Sequence, residues 1–333
     1  DEALRPAPTA ARTQVRSVSA WGPATQALIA RLRVGVVGLG SVGSIVAEGL
    51  ARTGVQHIRL IDFDSVREEN LDRLLHAKPA DARSRRAKVA VIAEALANSC
   101  TAYRPRVDAL EFSVVEDEGF RAALDCDLLF SCVDRPWARA VLNFIAYAHL
   151  IPVIDGGVHV RTRGGRTMVD ADWRAHVAAP GRRCLACIGQ YDPGLVSVER
   201  EGFLQRSGYI EGLPEDHPLR ANQNVFAFSV GAASLQLAQF VAMVAAPSGT
   251  ADLGALHFHL TGAELTRDEA GCDPGCPYSS NAVQGMGDAT EMIVTGSHGA
   301  AADERAYRAA RDARVRDLPH RVLRWLRARQ RPT

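Results

Sequence analysis

A chain of 333 residues, 47% hydrophobic and 23% charged with a formal net charge of +1, has ordinary globular composition and room for one large α/β domain or two smaller ones. The balance of 39 basic and 38 acidic side chains gives no electrostatic case for nucleic acid, and no apolar run approaches the roughly 20 residues of a membrane span. The first residues carry no apolar signal core, which points to the cytoplasm; the chain begins at Asp1 rather than a methionine, as a trimmed or partial product would.

In chain order, residues 1–26 read as an N-terminal arm, rich at first in Pro, Ala, Thr and Arg, with a short helix from about Thr25 to Arg33 leading into the core. Val34-Gly35-Val36-Val37 is a short apolar run of buried-strand type, followed by Gly38-Leu39-Gly40-Ser41-Val42-Gly43 with G-x-G-x-x-G spacing. Such a turn lets backbone N–H groups approach phosphate while the next helix directs its positive dipole end at the anion. An Ala/Leu-rich helix then ends near Gly54, Ile58 to Ile61 forms a strand, and Asp62 stands at its carboxyl end, where a carboxylate accepts from a ribose. A helix over Arg83–Asn98 follows, with Val89, Ile92, Ala93 and Leu96 on one face, then a strand from Arg104 to Leu110. Asp127 to Cys132 reads as a buried strand ending at Val133-Asp134, Trp137 to His149 as a helix, and Pro152 to Asp155 as the next strand. This alternation predicts an α/β fold with a doubly wound, mostly parallel sheet and helices on both faces.

From Gly156 the texture changes to a hairpin between Val158 and Val169, the pair Cys184/Cys187, a polar loop from Ser197 to Asn224, an apolar helix to Ala245, and a strand at His257 to Leu260 near the sheet edge. Tyr209, Glu211 and Glu215 in that loop are candidates to line a peptide channel. The expected division is a nucleotide-binding half over 27–155, a β-rich half over 156–290 for substrate and metal, and an Arg-rich tail over 291–333 that forms a solvated helix or docks an acidic partner.

The polar stretch beyond Asp62 distinguishes between nucleotides. Asp62-Phe63-Asp64-Ser65-Val66 runs on to Asn70-Leu71-Asp72-Arg73, with Lys88 one helix later and Asp134 at a later strand end. A dinucleotide needs only the ribose acid, whereas this set suits a triphosphate: Arg73 and Lys88 balance phosphate charge and Asp134 holds Mg²⁺ near the α-phosphate. An NAD(P)-dependent oxidoreductase is the competing reading, and a catalytically silent scaffold the third.

With the Gly-rich turn, D-x-D-x-V, N-L-x-R, Lys88, and Asp134 followed by R-x-x-x-N at Arg139 to Asn143, the chain resembles the E1-like adenylating enzymes: ThiF, MoeB, HesA and the ubiquitin-activating enzymes. The resemblance covers about residues 16–280. It implies ATP as cofactor, contacted by Gly38, Gly40, Ser41, Gly43 and Asp64, with Asp62 on the ribose, Asn70, Arg73 and Lys88 on the phosphates, and Asp134 on Mg²⁺. Arg16 stands six residues before Gly22, as does an arginine of the family that reaches the partner subunit's ATP, so a homodimer is implied. The substrate implied is the C-terminal carboxylate of a ubiquitin-like or sulfur-carrier protein or a peptide, with an E2-like or sulfur-transfer protein downstream. Ser41 within the turn and Leu74 after Arg73 depart from the commonest pattern and are similar to proteins of bacterial operons that also encode ubiquitin-like, E2-like or JAB-type components.

Seven cysteines include two close pairs. Cys184-x-x-Cys187 has knuckle spacing for zinc, and Cys272 and Cys276 offer the second half as C-x3-C. In the family the second knuckle is C-P-x-C, which would begin at Cys276 and place Ser279 at the fourth position, so a degenerate site remains open. No cysteine falls between Cys187 and Cys272 to carry a thioester, and Cys100, Cys126 and Cys132 read as packed thiols. His57, His76 and His149 read as solvated, and His257 and His259 share one strand face without a carboxylate beside them.

Overall fold

The computed structural model describes residues 12–164, 166–203, 223–280, 282–289 and 295–329, with side chains to 314 in the last stretch. One eight-stranded sheet runs through the molecule in the order β3-β2-β1-β4-β5-β6-β7-β8. Strands β1 (Arg33–Val37), β2 (His57–Ile61), β3 (Arg106–Leu110), β4 (Leu128–Ser131) and the start of β5 (Val153–Arg163) are parallel, and β6 (Thr167–Ala178), β7 (Ala255–His259) and β8 (Glu264–Asp268) extend the sheet antiparallel. The central strands are apolar without alternation because both their faces are covered.

The helices are α1 (Val15–Arg31), α2 (Ser41–Thr53), α3 (Pro79–Arg83), α4 (Lys88–Ser99), α5 (Asp117–Leu124), α6 (Pro136–Ala148), α7 (Pro193–Arg200), α8 (Phe226–Ala245) and α9 (Gly299–Arg329). One apolar core lies under α2, α4 and α8 around Val36, Leu50, Leu60, Ile92 and Phe240. The other lies under α5 and α6 around Ile61, Phe120, Leu129, Phe144 and Val153. After β3 the chain crosses to the far side of β1 to lay down β4. The strand order therefore reverses between β1 and β4, which opens a crevice at their carboxyl ends.

Several expectations change. Residues 15–26 are helical: α1 starts at Val15, kinks at Gly22 (φ 82°) before Pro23, and is docked. Its anchors are Gln14 and Gln26, both buried, against the left-handed C-cap Gly54 of α2. The helix expected from Arg83 begins only at Lys88, because Arg85 adopts a left-handed φ of 46°. The strand at Pro152–Asp155 and the first arm of the hairpin are one strand, β5, so the expected boundary at 155/156 falls inside it. β8 and α5 were not anticipated, and β8 takes the edge position next to β7. The apolar helix α8, at 20 residues, is long and apolar enough by length and composition to cross a membrane, and it packs on β5, β6 and α2. His57 lies buried in β2 with Nε2 2.8 Å from Asp108 Oδ2, which its surroundings in sequence did not reveal. Residues 204–222, including Tyr209, Glu211 and Glu215, lie outside the described residues.

Candidate functional site

The turn after β1 is held closed by its glycines. Gly38 has φ +86°, and a Cβ there would stand 2.7 Å from the Cys132 carbonyl oxygen at the end of β4. Gly43, in the first turn of α2, faces the Gly38 carbonyl so closely that a Cβ would overlap it. Gly40 is the N-cap of α2 and has open space around it. Ser41 is buried, and its Oγ has no hydrogen-bond partner. A helix N-terminus with open backbone N–H groups and an unpartnered hydroxyl is an anion site in waiting. Gly43→Ala is expected to lower stability by about 1–3 kcal/mol through overpacking, read as a fall in the unfolding midpoint; an unchanged midpoint would mean that the turn relaxes freely.

Beneath the turn, Asp62 is buried and accepts from Leu39 N (2.6 Å) and Asp64 N (2.7 Å), which fixes the glycine turn to the end of β2. Burial, with Asp64 nearby, pushes its carboxyl up to about 6 despite Lys88. Lys88, 9% exposed, opens α4 and donates Nζ to Asp64 Oδ2 at 2.7 Å. Burial works against its charge, yet Asp62, Asp64 and Asp134 hold its pKa above the ordinary lysine range. Asp64 is pulled the other way: burial would raise it, and the charge and hydrogen bond of Lys88 bring it below the usual carboxylate range. The ammonium is thus placed by a short backbone pairing in which Ser65 bridges Ala87, Lys88 N donates to Asp64 O (2.9 Å) and Val66 N donates to Arg86 O (2.8 Å).

The expected residues do not all converge. Asp62, Asp64, Lys88 and Asp134 form one electrostatic group, with Asp134 exposed just beyond β4. Asn70 accepts from Arg67 N (3.1 Å), and Arg73 donates to the Glu69 carbonyl and to Asp72 (2.9 Å), so both serve their own connector. Arg16 is exposed on α1, whose start is tied to Gly54 and, through Thr13, to Thr101. Gly54 lies at the opposite end of α2 from Gly40, about 20 Å away at 1.5 Å per residue. A residue the sequence did not flag, Glu199 of α7, caps α6 by accepting from Trp137 N (2.9 Å) and lies near Asp134.

Four thiols form a second centre. Cys184, Cys187, Cys272 and Cys276 place their sulfurs within 4.8 Å of one another, with Cys184 and Cys276 3.7 Å apart. A tetrahedral ion with metal–sulfur bonds of about 2.3 Å requires sulfur separations of about 3.8 Å, so the donor set fits zinc. Cys184 N donates to Cys272 Sγ (3.1 Å) and Cys187 N to Cys184 Sγ (3.4 Å), bonds that favour thiolates. The fourth position is therefore Cys272, and Ser279 turns its hydroxyl to the Cys276 carbonyl (2.9 Å). The R-x-x-x-N pair joins this centre to the sheet. Arg139 Nε donates to Asp155 Oδ1 (3.2 Å) and its Nη1 to the Gln190 carbonyl (3.2 Å), while Asn143 Oδ1 accepts from Leu185 N (2.9 Å).

Beyond Asp155, β5 and β6 project past the carboxyl edge of the parallel strands, and one face of that extension is polar. His257 Nε2 lies 2.8 Å from Asp172 Oδ1 and His159 Nδ1 3.5 Å from Asp172 Oδ2, so the carboxylate missing beside His257 in sequence comes from β6. Arg174, on the same face, has a buried Nε without a partner.

Comparison with known proteins agrees with this geometry. The chain matches the ThiF family over residues 12–265. It is 33% identical over 161 residues to the molybdopterin-synthase adenylyltransferase of Escherichia coli (strain K12), an alignment covering 47% of this chain and 59% of that protein. It is 30% identical over 175 residues to the adenylyltransferase and sulfurtransferase UBA4 of Yarrowia lipolytica, covering 51% and 39%. The chain thus spans about two-fifths to three-fifths of the curated relatives it matches. Among solved structures, Escherichia coli MccB with ATP superposes with a TM-score of 0.61 at 17% identity, over 81% of this chain and 75% of that one. PaaA superposes with a TM-score of 0.54 at 17% identity, over 78% and 79%. At such identity these two speak for the fold, and the family match over most of the described sheet decides the rest: the chain belongs to the ThiF family.

Proposed function

We propose that this chain uses ATP to adenylate the C-terminal carboxylate of a ubiquitin-like or sulfur-carrier protein, or of a peptide, and releases pyrophosphate. The observation that carries the proposal is the buried Lys88 paired with Asp64 beside Asp62 below a glycine turn, with the charge of Asp134 within reach, in a chain of this family. The relatives' names, molybdopterin-synthase adenylyltransferase and adenylyltransferase and sulfurtransferase, support the same chemistry.

In this reading Gly38, Gly40, Ser41 and Gly43 cradle phosphate, Asp62 accepts from the ribose, and Asp64 orients Lys88. Asn70 and Arg73 swing from their local bonds onto the phosphates, and Asp134 holds Mg²⁺. The acceptor carboxylate is ionised already and needs no general base, so catalysis reduces to positioning and to neutralising the charge of the departing pyrophosphate. Zinc in the Cys184, Cys187, Cys272 and Cys276 cluster supplies cross-linking only, because four protein ligands leave no open position. The three remaining cysteines support transfer without a thioester on this chain. Burial pushes Cys100 up to about 11 and Cys126 and Cys132 to about 12, so none is a ready nucleophile.

The test is exchange of labelled pyrophosphate into ATP, dependent on peptides ending in Gly-Gly with amidated peptides as control. Hydride transfer to NAD(P) without exchange would establish the oxidoreductase instead. ATP binding without exchange for any carboxyl partner would favour the scaffold.

We also propose a homodimer in which Arg16, about a helix length from the turn of its own chain, reaches the partner's ATP; its exposure on α1 is compatible with that role. Mixing Arg16→Ala with Lys88→Ala, each inactive alone, is expected to restore about a quarter of wild-type exchange, since half the dimers are mixed and each has one intact site. No recovery after subunit exchange would remove the trans role.

A further inference from the structure

Helix α9 lies outside the family match, which ends at residue 265, and its sequence reads as a solvated Arg-rich face. Its first turns are instead docked on the segments that build the nucleotide site. Glu304, 8% exposed, accepts at Oε2 from Ser65 Oγ (2.7 Å) and at Oε1 from Arg67 (2.9 Å) and Arg85 (2.5 Å). Arg308, 4% exposed, donates to Ser65 Oγ (2.8 Å) and to Glu111 (2.7 Å). Arg311 donates to the carbonyls of Ser84 and Arg85, and Arg305 makes a two-pronged pair with Glu116 (2.6 and 2.9 Å). Just ahead of the helix, Gly296 N donates to Val115 O (2.8 Å), and the His298 ring stands edge-on to Phe63 with centroids 4.8 Å apart.

These contacts share one target. Ser65 and Arg67 lie on one side of the backbone pairing that sets Lys88 against Asp64, and Arg85 lies on the other. That pairing is a single bridge outside any strand, closed by two backbone hydrogen bonds, so contacts from outside it add to what holds it shut. We infer that α9 is a clamp on the nucleotide site, in which Glu304 and Arg308 are positioning residues that hold Lys88 at its phosphate-facing place from outside the family domain. The ATP arm of this inference rests on the adenylation reading. Two charged groups, Glu304 and Arg308, are buried against Ser65, while Arg85 is half-buried and Arg67 exposed; a buried pair of this kind specifies geometry more than it stabilises, because desolvation offsets most of the attraction.

The experiment compares Glu304→Ala with wild type in the full chain by amide hydrogen exchange and by direct titration with Mg-ATP. Loss of Glu304 leaves Arg67 and Arg85 without their shared carboxylate. Exchange should rise about tenfold or more across residues 64–67 and 84–89, with the amides of β1 and β4 unchanged. The ATP dissociation constant should rise by about tenfold, while Glu304→Asp recovers part of both effects. Unchanged exchange in the two segments overturns the clamp. So does an ATP affinity equal to wild type, and so does a uniform rise in exchange throughout the sheet, which would mark a merely structural helix. Failure of the wild type to bind ATP would sink the adenylation reading, while the exchange result would still decide whether α9 holds the bridge.

Discussion

Replacing Lys88 by alanine is expected to lower ATP–pyrophosphate exchange by about 10²–10³-fold, the range for removing one preorganised group that meets developing charge, or about 3–4 kcal/mol. The ammonium is buried with Asp62 and Asp64 beside it, so its loss also turns the site's net charge against a polyphosphate. Both terms act in the same direction. Lys88→Arg should recover little: the pocket holds a compact ammonium at 2.7 Å from Asp64, and a planar guanidinium cannot take that position. A variant that kept exchange within a few-fold of wild type would show that phosphate charge is met elsewhere, with Arg73 the first residue to test.

The second large effect concerns the cysteine cluster. Cys184→Ser is expected to take bound zinc from one ion per chain to almost none, measured by elemental analysis, and to lower the unfolding midpoint by about 10 °C or more. The reason is one of scale. Structural zinc binding in small knuckles is worth about 10–16 kcal/mol, against about 5–15 kcal/mol for the whole stability of a domain. Chains grown with zinc that contain no metal, and whose midpoint is indifferent to chelation, would reduce the cluster to four packed thiols. Cys184 is fully buried and its neighbour Leu185 is held by Asn143, so damage should propagate to α6 and hence to the strand end that carries Asp134.

Local signals were legible wherever a residue's role depends on its immediate neighbours in sequence. The glycine turn, the strand before it and Asp62 after the next strand were all readable, because period and turn chemistry act over a few residues. The cysteine pairs were readable as pairs for the same reason. The sequence named Cys272 and Cys276 as the second half and left a degenerate site with Ser279 open; which of them lies by the first pair depends on where two loops 88 residues apart come to rest. His57 and His257 were misread because their carboxylate partners, Asp108 and Asp172, lie on other strands. The start of α4 was misplaced because a bend at Arg85, invisible to helical periodicity, is needed to bring Lys88 back to Asp64. The start of α1 was missed because its helix depends on docking against Gly54 rather than on propensity.

Short-range spacing was enough to give the doubly wound fold, the acid at the end of β2, the lysine that opens α4 as a candidate and the two cysteine pairs. Each is written in short-range spacing, which chain geometry converts directly into strand, turn or knuckle. Which of these residues meet depends on the packing of distant segments. It assembled Asp62, Asp64, Lys88 and Asp134, left Arg16 at the far end of α2, and laid a charged C-terminal helix on the bridge that places the lysine. The physical reason is that a charge pattern reads the same whether its helix faces water or buried partners. Glu304 and Arg308 differ from solvated neighbours only through Ser65, Arg67, Arg85 and Glu111, which the chain brings to them from about two hundred residues away.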